Sequence, residues 1–97
     1  MRKVLWNNQA KLDYFENIDF LLQKWSEKEA QKFIDHVQEI EFLLKQGNID
    51  FQKTDFKGVN RCVVMEQISL FYRITDDKNI ELLRFWNNAQ NQRRLKL

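Results

Sequence analysis

The chain has 97 residues, 43% of them hydrophobic, 13% aromatic and 31% charged, with two glycines, one cysteine and no proline. That length makes one domain, residues 1–97, with a real but small core and marginal stability, and the composition excludes a disordered chain. One cysteine excludes an intramolecular disulfide, no run reaches the roughly 18 apolar residues of a membrane span, and a net charge of +2 is too small to imply nucleic-acid binding by itself.

The first segment, "MRKVLWNNQAKLD", lacks the apolar region of a signal peptide, so the expected compartment is the reduced cytoplasm, with no membrane partner. Within it, Lys3 to Trp6 is short and compatible with a strand. Asn7 and Asn8 then offer an N-cap, because a short amide oxygen accepts a bond from an orphan helix N–H. From Gln9 onward Ala10, Tyr14, Ile18, Leu21 and Trp25 recur every three or four residues, and Phe15 and Leu22 widen that stripe. This spacing predicts an amphipathic helix with a broad buried face.

Ser26 followed by Glu29 is a capping-box pattern, in which hydroxyl and carboxylate satisfy each other's backbone donors. Ala30, Phe33, Ile34, Val37, Ile40 and Leu44 continue at helical spacing, and Gly47 supplies the left-handed conformation that stops a helix. The break at Lys24–Ser26 is short enough only for an antiparallel helical hairpin. His36 lies off the stripe among Asp35, Gln38 and Glu39, a solvated setting without a partner for a metal site or a catalytic triad.

Residues 48–60 hold at most a short strand around Phe51. After them Arg61–Glu66, Ile68–Ile74 and Ile80–Trp86 read as a three-stranded meander rich in Val, Ile, Phe and Tyr, with "TDDKN" as turn chemistry before the last strand. Cys62, inside the first of these strands, reads as a buried, inert thiol. Strict alternation puts Leu70, Tyr72 and Ile74 on the helix side, and Ser69, Phe71 and Arg73 on the reverse with Leu83 and Phe85. The expected fold is therefore α+β, in the order β-α-α-β-β-β, with the helices on one face of an antiparallel sheet. An apolar reverse face calls for a cover, and a partner chain is the economical one.

Charge is unevenly spread. Residues 1–48 hold seven Lys/Arg against eight Asp/Glu, and residues 49–97 hold nine against six. From Arg84 onward Arg84, Arg93, Arg94 and Lys96 meet no acidic residue, a concentration that can steer a polyanion or an acidic partner.

The element order, "LFYRI" on the middle strand, "IELLRFWNN" with "QN" on the last, and Trp6 with Ala10 near the start together resemble the RelE/ParE toxin superfamily of bacterial type II toxin–antitoxin modules. The resemblance spans nearly the whole chain. It implies a cytoplasmic growth inhibitor, associated with plasmid stabilisation, held inactive in a hetero-oligomer with a cognate antitoxin, and needing no cofactor or metal. One branch cleaves messenger RNA on the ribosome; the other inhibits DNA gyrase.

Ribonuclease members carry basic residues on the first two meander strands and an Arg plus a Tyr near the C-terminus. Here Ser69 stands where an Arg is expected, and Asn60 and Cys62 stand where lysines are expected, with Arg61 between them. No Tyr follows residue 72. The resemblance therefore favours the gyrase branch, with the ribonuclease as the alternative and Arg61, Arg73, Arg84, Arg93 and Arg94 as its catalytic candidates. Chains of the gyrase branch often carry a loop like "NRQNP" after the last strand. In this chain Ala89 replaces its Arg and Gln92 its Pro, which leaves an attenuated, non-toxic binding module as a third reading. Target contacts are expected from Asn88, Arg93, Arg94 and Lys96. An acidic antitoxin segment is expected on Phe71, Leu83 and Phe85, pairing with Arg73 and the tail.

Overall fold

The computed structural model describes residues 2–47, 51–89, 94, 95 and 97. In chain order they form β1 (Val4–Trp6), α1 (Asn8–Lys24), α2 (Glu27–Gln46), β2 (Gln52–Lys53), β3 (Val59–Met65), β4 (Ile68–Ile74) and β5 (Ile80–Asn87). The α+β order read from the sequence is the one observed.

Local chemistry sets the helix ends. Asn7 caps α1, its Oδ1 accepting from Ala10 N at 2.7 Å. Ser26 caps α2 by accepting from Glu29 N at 3.2 Å, while the Glu29 carboxylate turns to Lys32 at 3.7 Å. Gly47 ends α2 at φ 75°, and its missing Cβ also admits the Arg2 side chain, since a Cβ there would sit 3.1 Å from Arg2 Nε. The antiparallel hairpin then lays α1 over β5 and α2 over β3.

The five strands form one sheet in the order β1-β5-β4-β3-β2, antiparallel from β2 through β5. The expectation of a wholly antiparallel sheet needs one correction: β1 runs parallel to β5, held by bonds from Ile80 N to Lys3 O at 2.8 Å and from Asn7 N to Leu82 O at 3.2 Å. The long excursion through the hairpin and meander leaves either direction sterically open, and these bonds select the parallel one.

Under the helices lies the main core, centred on Leu21, Phe33, Val37, Leu44, Leu70, Tyr72, Leu82 and Phe85. Trp6, Tyr14, Phe33 and Phe85 form its aromatic centre, with ring centroids 5.1–5.9 Å apart. Cys62 is buried there, and burial pushes its thiol up to about 11, as an inert core cysteine requires. Tyr14, on the seam between the helices, is also raised, by burial first and by Glu41 second.

A β-bulge overturns part of the face assignment. Phe71 pairs with Arg84 and Tyr72 with Leu82, so Leu83 has no partner on β4 and the alternation of β5 shifts by one. Phe85 therefore lies on the helix side, packed against Trp6, Tyr14 and Phe33, and not beside Leu83. Phe71 and Leu83 do lie on the reverse, where they join Val59, Trp86 and Leu95 in a second buried cluster. That reverse face is thus covered in part by the C-terminal end of the chain itself. The α1 stripe also departs from expectation: Trp25, Phe15 and Leu22 are exposed, whereas Asp13 and Asn17 are buried.

Candidate functional site

The cationic candidates part company once their neighbours are known. Arg84, on β5, is held by Asp13 of α1: its Nε lies 2.7 Å from Asp13 Oδ2 and its Nη2 lies 3.1 Å from Oδ1. Its guanidinium carbon also stands 5.1 Å from the centroid of the Trp86 ring. Asp13 is buried and accepts two further bonds, from Phe85 N at 3.1 Å and Gln9 Nε2 at 2.9 Å. A charge so fully paired is part of the scaffold. Arg73, exposed on β4, meets its cross-strand neighbour Glu81 on β5. An exposed pair of this kind contributes little stability and leaves Arg73 available to a stronger anion.

Arg61, on β3, differs from both. Its Nε donates to Ser69 Oγ at 3.0 Å, and its terminal nitrogens have no acceptor among the described residues. Ser69 is wholly buried and passes the connection on, donating to Asn88 Oδ1 at 3.2 Å. Asn88 in turn binds the turn between β3 and β4, with its backbone N 2.6 Å from Gln67 O and its Nδ2 3.2 Å from Glu66 O. Asn88 is therefore a tie between the exit of β5 and the neighbouring turn, with both side-chain atoms engaged. Ser69, which occupies the place of an expected Arg, aims the guanidinium of Arg61.

Arg61 opens into a recess of about 210 Å³ on the reverse side, shared with Gln52 and Lys53 of β2, Thr54, Asp55, Phe56, Phe71 and Leu95. An Arg fork and a Lys ammonium suit a carboxylate or a phosphate, with the Asp55 carboxylate on the same lining offsetting one of the two charges. Arg94, just before Leu95, is exposed, whereas Arg93 and Lys96 lie outside the described residues. Sequence reasoning missed Lys53, the relay through Ser69, the counter-ion Asp13 and the seat of Leu95. Two of these had a signal: a leucine inside "RRLKL" is out of character with a solvated tail, and Asp13 falls inside the apolar face of α1.

His36 is less solvated than expected, and its partner is a backbone carbonyl. It is half-buried, with Nδ1 2.8 Å from Val64 O, and since a carbonyl only accepts, Nδ1 carries the proton. It sits on the opposite layer from the Arg61 recess, against the bulge of β3. Among the described residues no group of three or more His, Cys, Asp or Glu could hold a metal ion, and no helix is long and apolar enough to cross a membrane.

The fold is thus a helical hairpin on one side of a meander, with Lys53 and Arg61 on the reverse. The family model for the ParE toxin of type II toxin–antitoxin systems, parDE, matches residues 4–92, and the chain belongs to that family. No curated protein matches it in sequence. Among solved structures, it is similar to a chain of the chromosomal ParDE toxin–antitoxin system from P. aeruginosa, with 21% identity, a TM-score of 0.72, and coverage of 90% of this chain and 96% of that one. It is also similar to a chain of the E. coli DinJ–YafQ complex, at 15% identity and TM-score 0.61 over 92% and 96% of the two chains. The YoeB/ParE toxin from Agrobacterium tumefaciens gives 13% identity and TM-score 0.61 over 88% and 96%. At these identities the likeness is one of fold.

Proposed function

We propose that this chain is the growth-inhibiting toxin of a type II module, that it acts by binding DNA gyrase without chemistry of its own, and that a cognate antitoxin neutralises it. The observation that carries this reading is the engagement of Arg84 with Asp13. One of the cations a ribonuclease site would draw on is thereby already matched. Tyr72, the last tyrosine of the chain, is buried with its hydroxyl accepting from Phe51 N, so it is not free to act on a 2′-hydroxyl. The surface left for a target is the Arg61 recess with the basic C-terminal end. In a supercoiling assay, purified chain should inhibit gyrase, and added antitoxin should restore activity. Supercoiling unchanged at a large molar excess overturns the reading.

One observation favours the ribonuclease alternative: Arg61 and Lys53 together can bind a phosphate and stabilise its developing charge. Codon-phased cuts in primer-extension mapping after induction would establish that alternative, and their absence removes it. Wild-type growth under strong expression without antitoxin would favour the attenuated module.

The antitoxin surface is proposed accordingly. Phe71 and Leu83 are buried beneath Leu95 and Phe85 beneath the helices, whereas the hairpin carries several open apolar side chains: Leu12, Phe15 and Leu22 on α1 and Phe42 on α2. An amphipathic antitoxin segment that folds on binding would cover them. Phe15→Asp should weaken antitoxin binding in calorimetry by tenfold or more; unchanged affinity rejects this surface.

A further inference from the structure

We propose that Leu95 is a positioning residue: it seats Arg94 on the reverse of the sheet, so that Arg94 and the Lys53–Arg61 recess act as one cationic surface. The inference deepens the target-binding reading above and rests on it for its biological use.

Three observations carry it. Leu95 is only 5% exposed, although the run "RRLKL" around it is basic, whereas Leu97 two residues on is 43% exposed. Its burial is specific, in one cluster with Val59, Phe71, Leu83 and Trp86, which are supplied by three different strands. Finally, Leu95 walls the same recess as Lys53 and Arg61, where the two cations outnumber the one carboxylate, Asp55, while its neighbour Arg94 stays in solvent. At the other end of the segment, Asn88 is tied to Gln67, Glu66 and Ser69, and Ser69 also holds Arg61. A cation next to a fixed point meets its partner pre-ordered, and ordering it during folding removes that cost from binding.

The test uses the whole chain and a heparin decasaccharide as a polyanionic probe. Trypsin should cut after Arg94 at least tenfold more slowly in the folded chain than in a free peptide of residues 88–97. Leu95→Ala should bring the two rates together without changing the circular dichroism of the domain, and Leu95→Met should restore protection. The slope of log affinity against log salt counts the cations that engage together. It should become shallower by about one unit in Leu95→Ala and recover in Leu95→Met. Arg94→Ala should flatten the slope in the wild type and change nothing further in Leu95→Ala. Equal cutting of chain and peptide, or an Arg94 effect of the same size in both backgrounds, overturns the proposal. The first of these comparisons needs no variant to fold. Growth arrest on induction separates the two readings: a harmless chain with the expected slopes refutes toxicity and keeps the seat, and a toxic chain with unchanged slopes does the reverse.

Discussion

The two helices of the hairpin carry similar apolar patterns and bury different chemistry. Along α2 the buried residues are Ala30, Phe33, Val37, Ile40 and Leu44, an uninterrupted apolar stripe. Along α1 they are Ala10, Asp13, Asn17 and Leu21, with two polar residues at the centre. The cause is what lies beneath. β1 reaches only as far as the pairing of Trp6 with Leu82, so the outer edge of β5 beyond that point has no strand beside it. Unpaired backbone groups at a buried edge are costly, and α1 supplies the missing partners. Asp13 accepts from Phe85 N at 3.1 Å and Asn17 donates to Phe85 O at 3.0 Å. Side chains four apart on one helix face stand about 6 Å apart along its axis, which lets them serve both groups of one residue. A helix here completes a sheet.

That contrast makes removal of Asp13 the most damaging change on the outside of the core. Asp13→Ala leaves Arg84 unpaired and Phe85 N without an acceptor, and breaking a buried pair from one side costs about 3–5 kcal/mol. For a small domain that is a large share of total stability, so the urea midpoint should fall sharply. A midpoint shift below what 1 kcal/mol would give would mean that water satisfies this edge and that α1 is not acting as a strand substitute.

Asn17→Ala should cost less, about 1–3 kcal/mol, because it strips a neutral partner from the carbonyls of Phe85 and Asp13 and leaves the ion pair in place. Under α2 the corresponding probe is pH. The folded-state value of the Cys62 thiol is raised from 9.0 to about 11, so the folded protein holds that proton more tightly than the unfolded chain. Its stabilising contribution is complete below pH 9 and is lost as the pH rises through about 11. Cys62→Ala should remove this part of the alkaline loss, and the native thiol should resist disulfide reagents at pH 8. Rapid labelling of the folded chain would show that the α2 side is wet.

How much of this was legible in the sequence follows the same division. α2 could be read residue by residue, since Ser26, the apolar repeat and Gly47 act locally. The meander could be read as strands, but the bulge at Leu83 could not, because no local residue marks it, and with it went the placement of Phe85. Asp13 and Asn17 sit inside the apolar face of α1, where a polar pair four apart hints at an edge, but which edge depends on how far β1 runs. Of the reverse side, Arg61 was singled out on its position, while its aim through Ser69 and the wall formed by Leu95 depend on contacts between residues far apart in the chain.

The smallest effect sharpens the comparison most. The apolar positions that α1 displaces from its buried stripe, Phe15 and Leu22, are 64% and 47% exposed. Their side chains already stand in water, so Phe15→Ser with Leu22→Ser removes little burial, and serine costs a helix about as much as phenylalanine does. Stability should stay within about 0.5 kcal/mol of the wild type for each site, measured by the urea midpoint at low micromolar concentration. The same double variant should lose antitoxin affinity if the hairpin is the docking surface. If the midpoint instead falls as far as it does for Asn17→Ala, and the fall grows with protein concentration, then a second copy of the chain covers α1 in solution. The exposed stripe would then be a self-association surface, and the contrast between the helices would lie in what each packs against outside its own fold.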